Sequence, residues 1–174
     1  MTGNVVLNPE GPYFLRRKVA RLLPDAARTV ERHMRETLPP TTVRLAHPSE
    51  FGPAVLAAAD ASASLWRTTL VNTLHRRLAR DAQGLTVPTH DGGALVLLHI
   101  AAVRDPDQLH TVLIHELVHA VQMGRPSIAA NALARTRHAL GNEHRNRRWL
   151  ADHDASVDRD EDEAYRIEHL LCVA

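Results

Sequence analysis

Residues 113–122 read "LIHELVHAVQ": two histidines four apart, a glutamate directly after the first, and an otherwise almost wholly apolar stretch. On a helix, residues i and i+4 lie one above the other on the same face. His115 and His119 can therefore aim two imidazole nitrogens at one ion, with Glu116 beside them rather than on the opposite side. The helix that would carry them is well punctuated. Asp105 fits the N-cap, Pro106 the first helical position and Gln108 the reciprocal capping-box position, while Gly124 and Pro126 close the helix after Met123. Leu109, Val112, Leu113, Ile114, Leu117, Val118, Ala120 and Val121 make it apolar nearly all round, so it is expected to be buried. Two imidazoles and a carboxylate in such surroundings carry a desolvation penalty unless a partner satisfies them, and a metal ion is such a partner.

The flanking sequence supplies the frame. "ALVLLHIAAV" (94–103) is apolar on both faces, as in a strand packed on both sides. His99 lies on it, either as a hydrogen-bonded core or cleft-wall histidine or as a substrate contact. "HDGG" (90–93) is a turn, and "LTVPT" (85–89) reads as an edge strand because Pro88 cannot donate to a ladder. "TTVRLAH" (41–47) alternates as a short strand after the Pro39-Pro40 stop. Residues 12–37 have helical spacing, with Pro24 expected to kink or divide the helix. A second helical region runs from about Pro53 to Gly84, with Trp66, Leu70, Leu74 and Leu78 stepping by four. Downstream, 126–141 reads as a helix closed by Gly141. The stretch 142–160, first basic and then acidic, reads as a solvated loop, and a last helix is expected from near Asp158, with Glu161 at its capping-box position, to Leu171. The class implied is α+β, mostly helical, with a small sheet next to the helix of 105–123.

Composition narrows the function. The 174 residues fit one domain spanning 1–174. Hydrophobic residues make up 44% but aromatics only 3%, so the core is aliphatic and alanine-rich, which favours helices. The net charge of +1 gives no field to recruit nucleic acid or an anionic membrane, and neither is expected as a partner. Twelve histidines make charge and metal affinity pH-sensitive near neutrality. The single cysteine, Cys172, excludes an intrachain disulfide and a Cys-rich zinc finger and reads as a small apolar residue on the last helical turn. No signal peptide is evident, and the longest apolar run is about half a membrane span, so the cytoplasm is the expected compartment.

H-E-x-x-H on a helix is the zinc-binding pattern of metallopeptidases, with the glutamate as general base. Neutral imidazoles bind Zn²⁺ without cancelling its charge, which leaves it able to lower the pKa of water to about 7. Such a catalytic site needs a third protein ligand. Gln122 and Arg125 stand where the metzincin pattern needs Gly and His, which excludes that class, and no H-x-x-E-H occurs. The last helix, "DRDEDEAYRIEHLL" (158–171), offers carboxylates. With Ala164, Ile167, Leu170 and Leu171 taken as its inward stripe, Glu163 lies on the edge, while Glu161 and Glu168 point roughly 100° from the centre. Glu163 is therefore the expected third ligand. Asp160, on the same stripe, is the substitute or an acceptor for a ligand histidine, and Tyr165 and His169 are candidates for stabilising an oxyanion.

At "LIHELVHAVQ" and "EDEAYRIEHLL" the chain resembles the gluzincin-type zincins, metallopeptidases with H-E-x-x-H on one helix and a glutamate on a later one, and in particular their small bacterial members. The resemblance covers 94–124 and 158–171. It implies a zincin-like fold, one Zn²⁺ per chain on His115, His119 and Glu163, Glu116 as base, and a peptide or protein substrate. It also implies that the strand at 94–102, including Leu97 and His99, lines the cleft and pairs with extended substrate. The long gap from His119 to Glu163 is an insertion (125–158) expected to wall or cover the cleft. Two other readings keep the same residues: a non-proteolytic zincin scaffold that regulates or binds a partner, and a 2-His-1-carboxylate Fe(II) enzyme, against which the adjacent Glu116 argues.

Overall fold

A computed structural model of the chain describes residues 5–58, 83–101 and 105–172. Along these residues run β1 (Val5–Leu7), α1 (Tyr13–Met34), β2 (Thr41–Ala46), α2 (Pro48–Ala58), β3 (Gly84–Pro88), β4 (Ala94–His99), α3 (Pro106–Met123), α4 (Pro126–Leu140) and α5 (Arg147–Cys172). The mixture fits the α+β class. The sheet order is β1-β2-β4-β3; the first three strands are parallel and β3 runs antiparallel at the edge. The "HDGG" turn makes the β3–β4 hairpin: the Thr89 N–H donates to the Gly93 carbonyl (2.9 Å) and Gly92 takes a positive φ of 87°, which costs glycine little. Pro88 sits on the edge strand, as a residue without a donor should.

The alternation of β4 explains its two apolar faces. Val96 and Leu98 pack into the main core with Val19, Leu23 and Val30 of α1 and Leu113, Leu117 and Val121 of α3. Leu97 faces the other way, wholly buried against Phe51 and Ala54 of α2. The sheet is thus covered on both faces, and α3 lies in the core with Ala164 and Ile167 of α5 packed against it.

Three helix boundaries differ from the sequence expectation. Pro24 does not divide α1, which is continuous through it. Pro24 and Ala20, whose carbonyl the proline cannot satisfy, are both on the exposed face, where water can take the vacant bond. α2 starts at Pro48 rather than near Pro53, because Glu50 reaches back to accept from the His47 N–H (2.7 Å), a capping box. α5 starts at Arg147, not near Asp158: Asn146 is its N-cap, accepting from the Trp149 N–H (2.8 Å). The expected polar loop is therefore confined to about 141–146, and Gly84 opens β3. α4 ends as expected, with Gly141 left-handed (φ 73°) and the Asn142 N–H donating to the Arg137 carbonyl (2.8 Å). The Trp66–Leu78 series and residues 102–104 lie outside the described residues. Cys172 is half-buried, with Sγ 3.8 Å from His110 Nδ1, and burial pushes its thiol up, consistent with a packing role. No described helix is long and apolar enough to cross a membrane.

Candidate metal centre

α3 turns His115 and His119 toward α5, and their Nε2 atoms lie 3.0 Å apart. Glu161 of α5 closes a triangle, with one oxygen 3.4 Å from His119 Nε2 and the other 3.6 Å from His115 Nε2. Among the described residues these three side chains form a group able to hold a metal ion. Ligand atoms about 2.0–2.2 Å from a tetrahedral ion stand about 3.3–3.6 Å from one another, which the two carboxylate edges match, while the 3.0 Å imidazole edge is a few tenths of an ångström short. Both rings are nearly buried, at 14% and 12% side-chain exposure, while Glu161, at 44%, reaches in from the open side.

Each ring is held by its other nitrogen. His115 Nδ1 lies 2.8 Å from Glu168 Oε2, and His119 Nδ1 lies 2.8 Å from Gln122 Oε1. Both partners are acceptors, so in the neutral rings Nδ1 carries the hydrogen and the two Nε2 lone pairs face each other with a carboxylate alongside. Such a convergence of electron-rich atoms is stable only around a cation, a proton or a metal. The titration of the groups says the same. Burial alone would lower His119 and His115, but the Glu161 carboxylate reverses the sign and both are raised. In return His115 and then His119 hold Glu161 far below the usual carboxylate range.

Glu116 sits one residue round the helix, only 5% exposed. The Thr86 hydroxyl of β3 donates to its Oε2 (2.7 Å) and lies 3.0 Å from its backbone carbonyl. Burial pushes the Glu116 carboxyl up, with His119, Thr86 and His115 opposing. β3 passes so close that a Cβ at Gly84 would stand 2.5 Å from Glu116 Oε1. Only glycine admits that approach.

The cleft above these residues encloses about 760 Å³. β3 and α3 form one side; Ile128, Asn131 and Ala132 of α4 and His153, Ser156 and Val157 of α5 form the other. Residues of the 125–158 stretch therefore wall the cleft.

Several site assignments made from sequence need correction. Glu163 is not in the triangle: Arg125 holds it through Nη1 (3.0 Å) and Nη2 (3.3 Å), and Gln122 Nε2 donates to it (3.0 Å). Arg125 also grips Glu36 through Nε (3.0 Å) and Nη2 (2.7 Å). The stripe was misjudged at Leu170, which is 48% exposed. Without Leu170 the inward line set by Ala164, Ile167 and Leu171 leaves Glu161, Glu163 and Glu168 all about 70–90° from its centre at 3.6 residues per turn, so helical spacing alone does not separate them. Asp160 lines the cleft, outside the group of His115, His119 and Glu161, and its carbonyl accepts from Gln122 (2.9 Å). Tyr165 lines the cleft, its ring 4.8 Å from that of His115, whereas His169 is exposed and faces away. β4 is hydrogen-bonded on both edges, so it has no free edge for a substrate, and neither Leu97 nor His99 lines the cleft. The edge strand beside α3 is β3. The sequence reading weighed Glu161 and Glu168 and set them aside, and gave Gln122, Thr86 and Gly84 no place in the site; the i, i+7 spacing of Glu161 and Glu168, two helical turns on one face, was the available signal.

No protein-family model, curated protein or solved structure matches the chain.

Proposed function

We propose that this chain is a zinc-dependent hydrolase, a peptidase of the gluzincin type, with one Zn²⁺ held by His115, His119 and Glu161 and with Glu116 as general base. The observation that carries the reading is the meeting of two imidazole lone pairs and a carboxylate at 3.0–3.6 Å, next to a buried glutamate that is not part of the triangle. Bound there, zinc supplies Lewis acidity, acidifying water and polarising a carbonyl. The remaining work falls to the chain. Glu116, raised by burial, takes a proton from the attacking water and returns it to the leaving amine. Thr86 and the bare backbone at Gly84 hold that carboxylate in place. Tyr165, beside His115 on the cleft wall, is the donor for the developing oxyanion.

The edge strand supports a peptide as substrate. Among the described residues β3 pairs only with β4, and an extended peptide lying along the cleft would add to the other edge of β3 by backbone hydrogen bonds. A metal-bearing helix beside such an edge strand supports the zincin-like reading of the fold. The test is Glu116→Gln, assayed against a mixed peptide library with metal content measured in parallel. Hydrolysis lost with zinc retained is the expected result; hydrolysis at the wild-type rate would overturn the mechanism.

A further inference from the structure

We infer that Gln122 is a positioning residue for His119, an amide locked in one orientation so that the imidazole can present only Nε2 to the metal. The inference rests on the metal site proposed above. Gln122 is completely buried, and its two ends make different bonds. On the nitrogen side stand the Asp160 carbonyl (2.9 Å) and Glu163 Oε2 (3.0 Å). Neither can donate, so the amide NH₂ must face them. The amide oxygen is thereby forced toward His119 Nδ1, 2.8 Å away, and requires a hydrogen there. A flipped amide would set its oxygen against two acceptors and its NH₂ against the Nδ1 hydrogen, losing every bond in a site without water to replace them. Glu163 is in turn fixed by Arg125, which Glu36 holds from the end of α1. The chain Glu36–Arg125–Glu163–Gln122–His119 thus sets the tautomer of one ligand from three separate elements. Glu163, expected from sequence to be the ligand, acts through Gln122.

The test uses the full chain stripped of metal and reads two quantities. Long-range ¹⁵N–¹H NMR reports which nitrogen of His119 carries the hydrogen above its titration range, and competition with a chromophoric chelator gives the zinc dissociation constant. Wild type is expected to show Nδ1–H at His119. Gln122→Met, similar in shape but unable to accept, should show a mixture of tautomers and bind zinc about 10–100-fold more weakly. Gln122→Glu combined with Glu163→Gln, which keeps an acceptor facing His119 and moves the amide donor to position 163, should recover the Nδ1–H tautomer. Glu163→Gln, at the half-exposed end of the chain, keeps the core intact and should weaken zinc less than tenfold while broadening the His119 signal. An unchanged tautomer and unchanged affinity in Gln122→Met would overturn the inference and leave the zinc reading standing. A wild type that shows Nδ1–H but takes up no zinc would overturn the zinc reading and leave the lock standing.

Discussion

Gly84→Ala puts a methyl group against the proposed general base, and its consequence follows from three distances. A Cβ at position 84 would stand 2.5 Å from Glu116 Oε1, 2.6 Å from Cγ and 2.7 Å from Cδ, against ordinary contacts of 3.4–4 Å. All three atoms belong to a side chain that is 5% exposed and held by Thr86, so no flexible tip can swing aside. Either β3 lifts from α3 or Glu116 moves, in both cases by about 1 Å. Overpacking of this kind costs about 1–3 kcal/mol; the reduced freedom of the unfolded chain returns about 0.4–1, leaving a net loss near 1–2 kcal/mol. A base displaced by about 1 Å costs about 100-fold in kcat/KM. The histidines and Glu161 are untouched, so zinc should stay bound. Urea unfolding, turnover and metal content of the purified variant give the three readouts. Wild-type stability together with wild-type turnover would refute the claim that the strand and the glutamate are in contact.

Other perturbations test neighbouring parts of the account. Thr86→Val removes the hydroxyl donor from a buried carboxylate and should cost about 1–3 kcal/mol in urea unfolding, with the Glu116 pKa rising further and the acid limb of the pH–rate profile moving up with it. Glu168→Leu frees His115 Nδ1 and should weaken zinc about 10–100-fold in a chelator competition, with folding retained because the carboxylate lies at the cleft surface. In the metal-free chain His115 and His119 titrate above the ordinary value near 6.5. The stability they contribute is therefore full below about pH 6.5 and lost as pH rises through their raised values. Zinc competes with those protons, so its affinity should rise over the same interval. Metal-free thermal melts that showed no such decline with pH would contradict the assigned pairing with Glu161.

α3 was legible because several independent signals agreed: a cap, a stop and a largely apolar surface from Val112 to Met123. The two-faced apolar pattern of β4 likewise announced burial by layers on both sides, and α2 and the main core supply them. A pattern that reports buried faces carries no information about buried edges, however. Pro88 had marked 85–89 as an edge, but only the antiparallel return of the hairpin shows that residues of this strand, rather than of 94–99, line the cleft beside α3. The start of α5 was obscured because its first turns are polar on most sides. Leu150, Val157 and Ala164 do recur seven apart, and Asn146 supplies the cap. Counting exposed Leu170 as inward rotated the stripe toward Glu163, and without it the spacing no longer distinguishes Glu163 from Glu161, whose place beside the histidines is set by how α5 crosses α3. Glu163, expected as a ligand, pairs with Arg125 instead, and a long-range ion pair of this kind leaves no trace in helical spacing.

The most direct measurement is the metal content, by mass spectrometry, of wild type, Glu161→Ala and Glu163→Ala purified side by side. The account predicts one zinc ion per chain in wild type, zinc retained in Glu163→Ala, and zinc lost from Glu161→Ala. Zinc lost from Glu163→Ala but kept by Glu161→Ala would return the ligand to Glu163, and iron in the wild type, or a wild-type chain that zinc cannot load, would contradict the zinc centre itself.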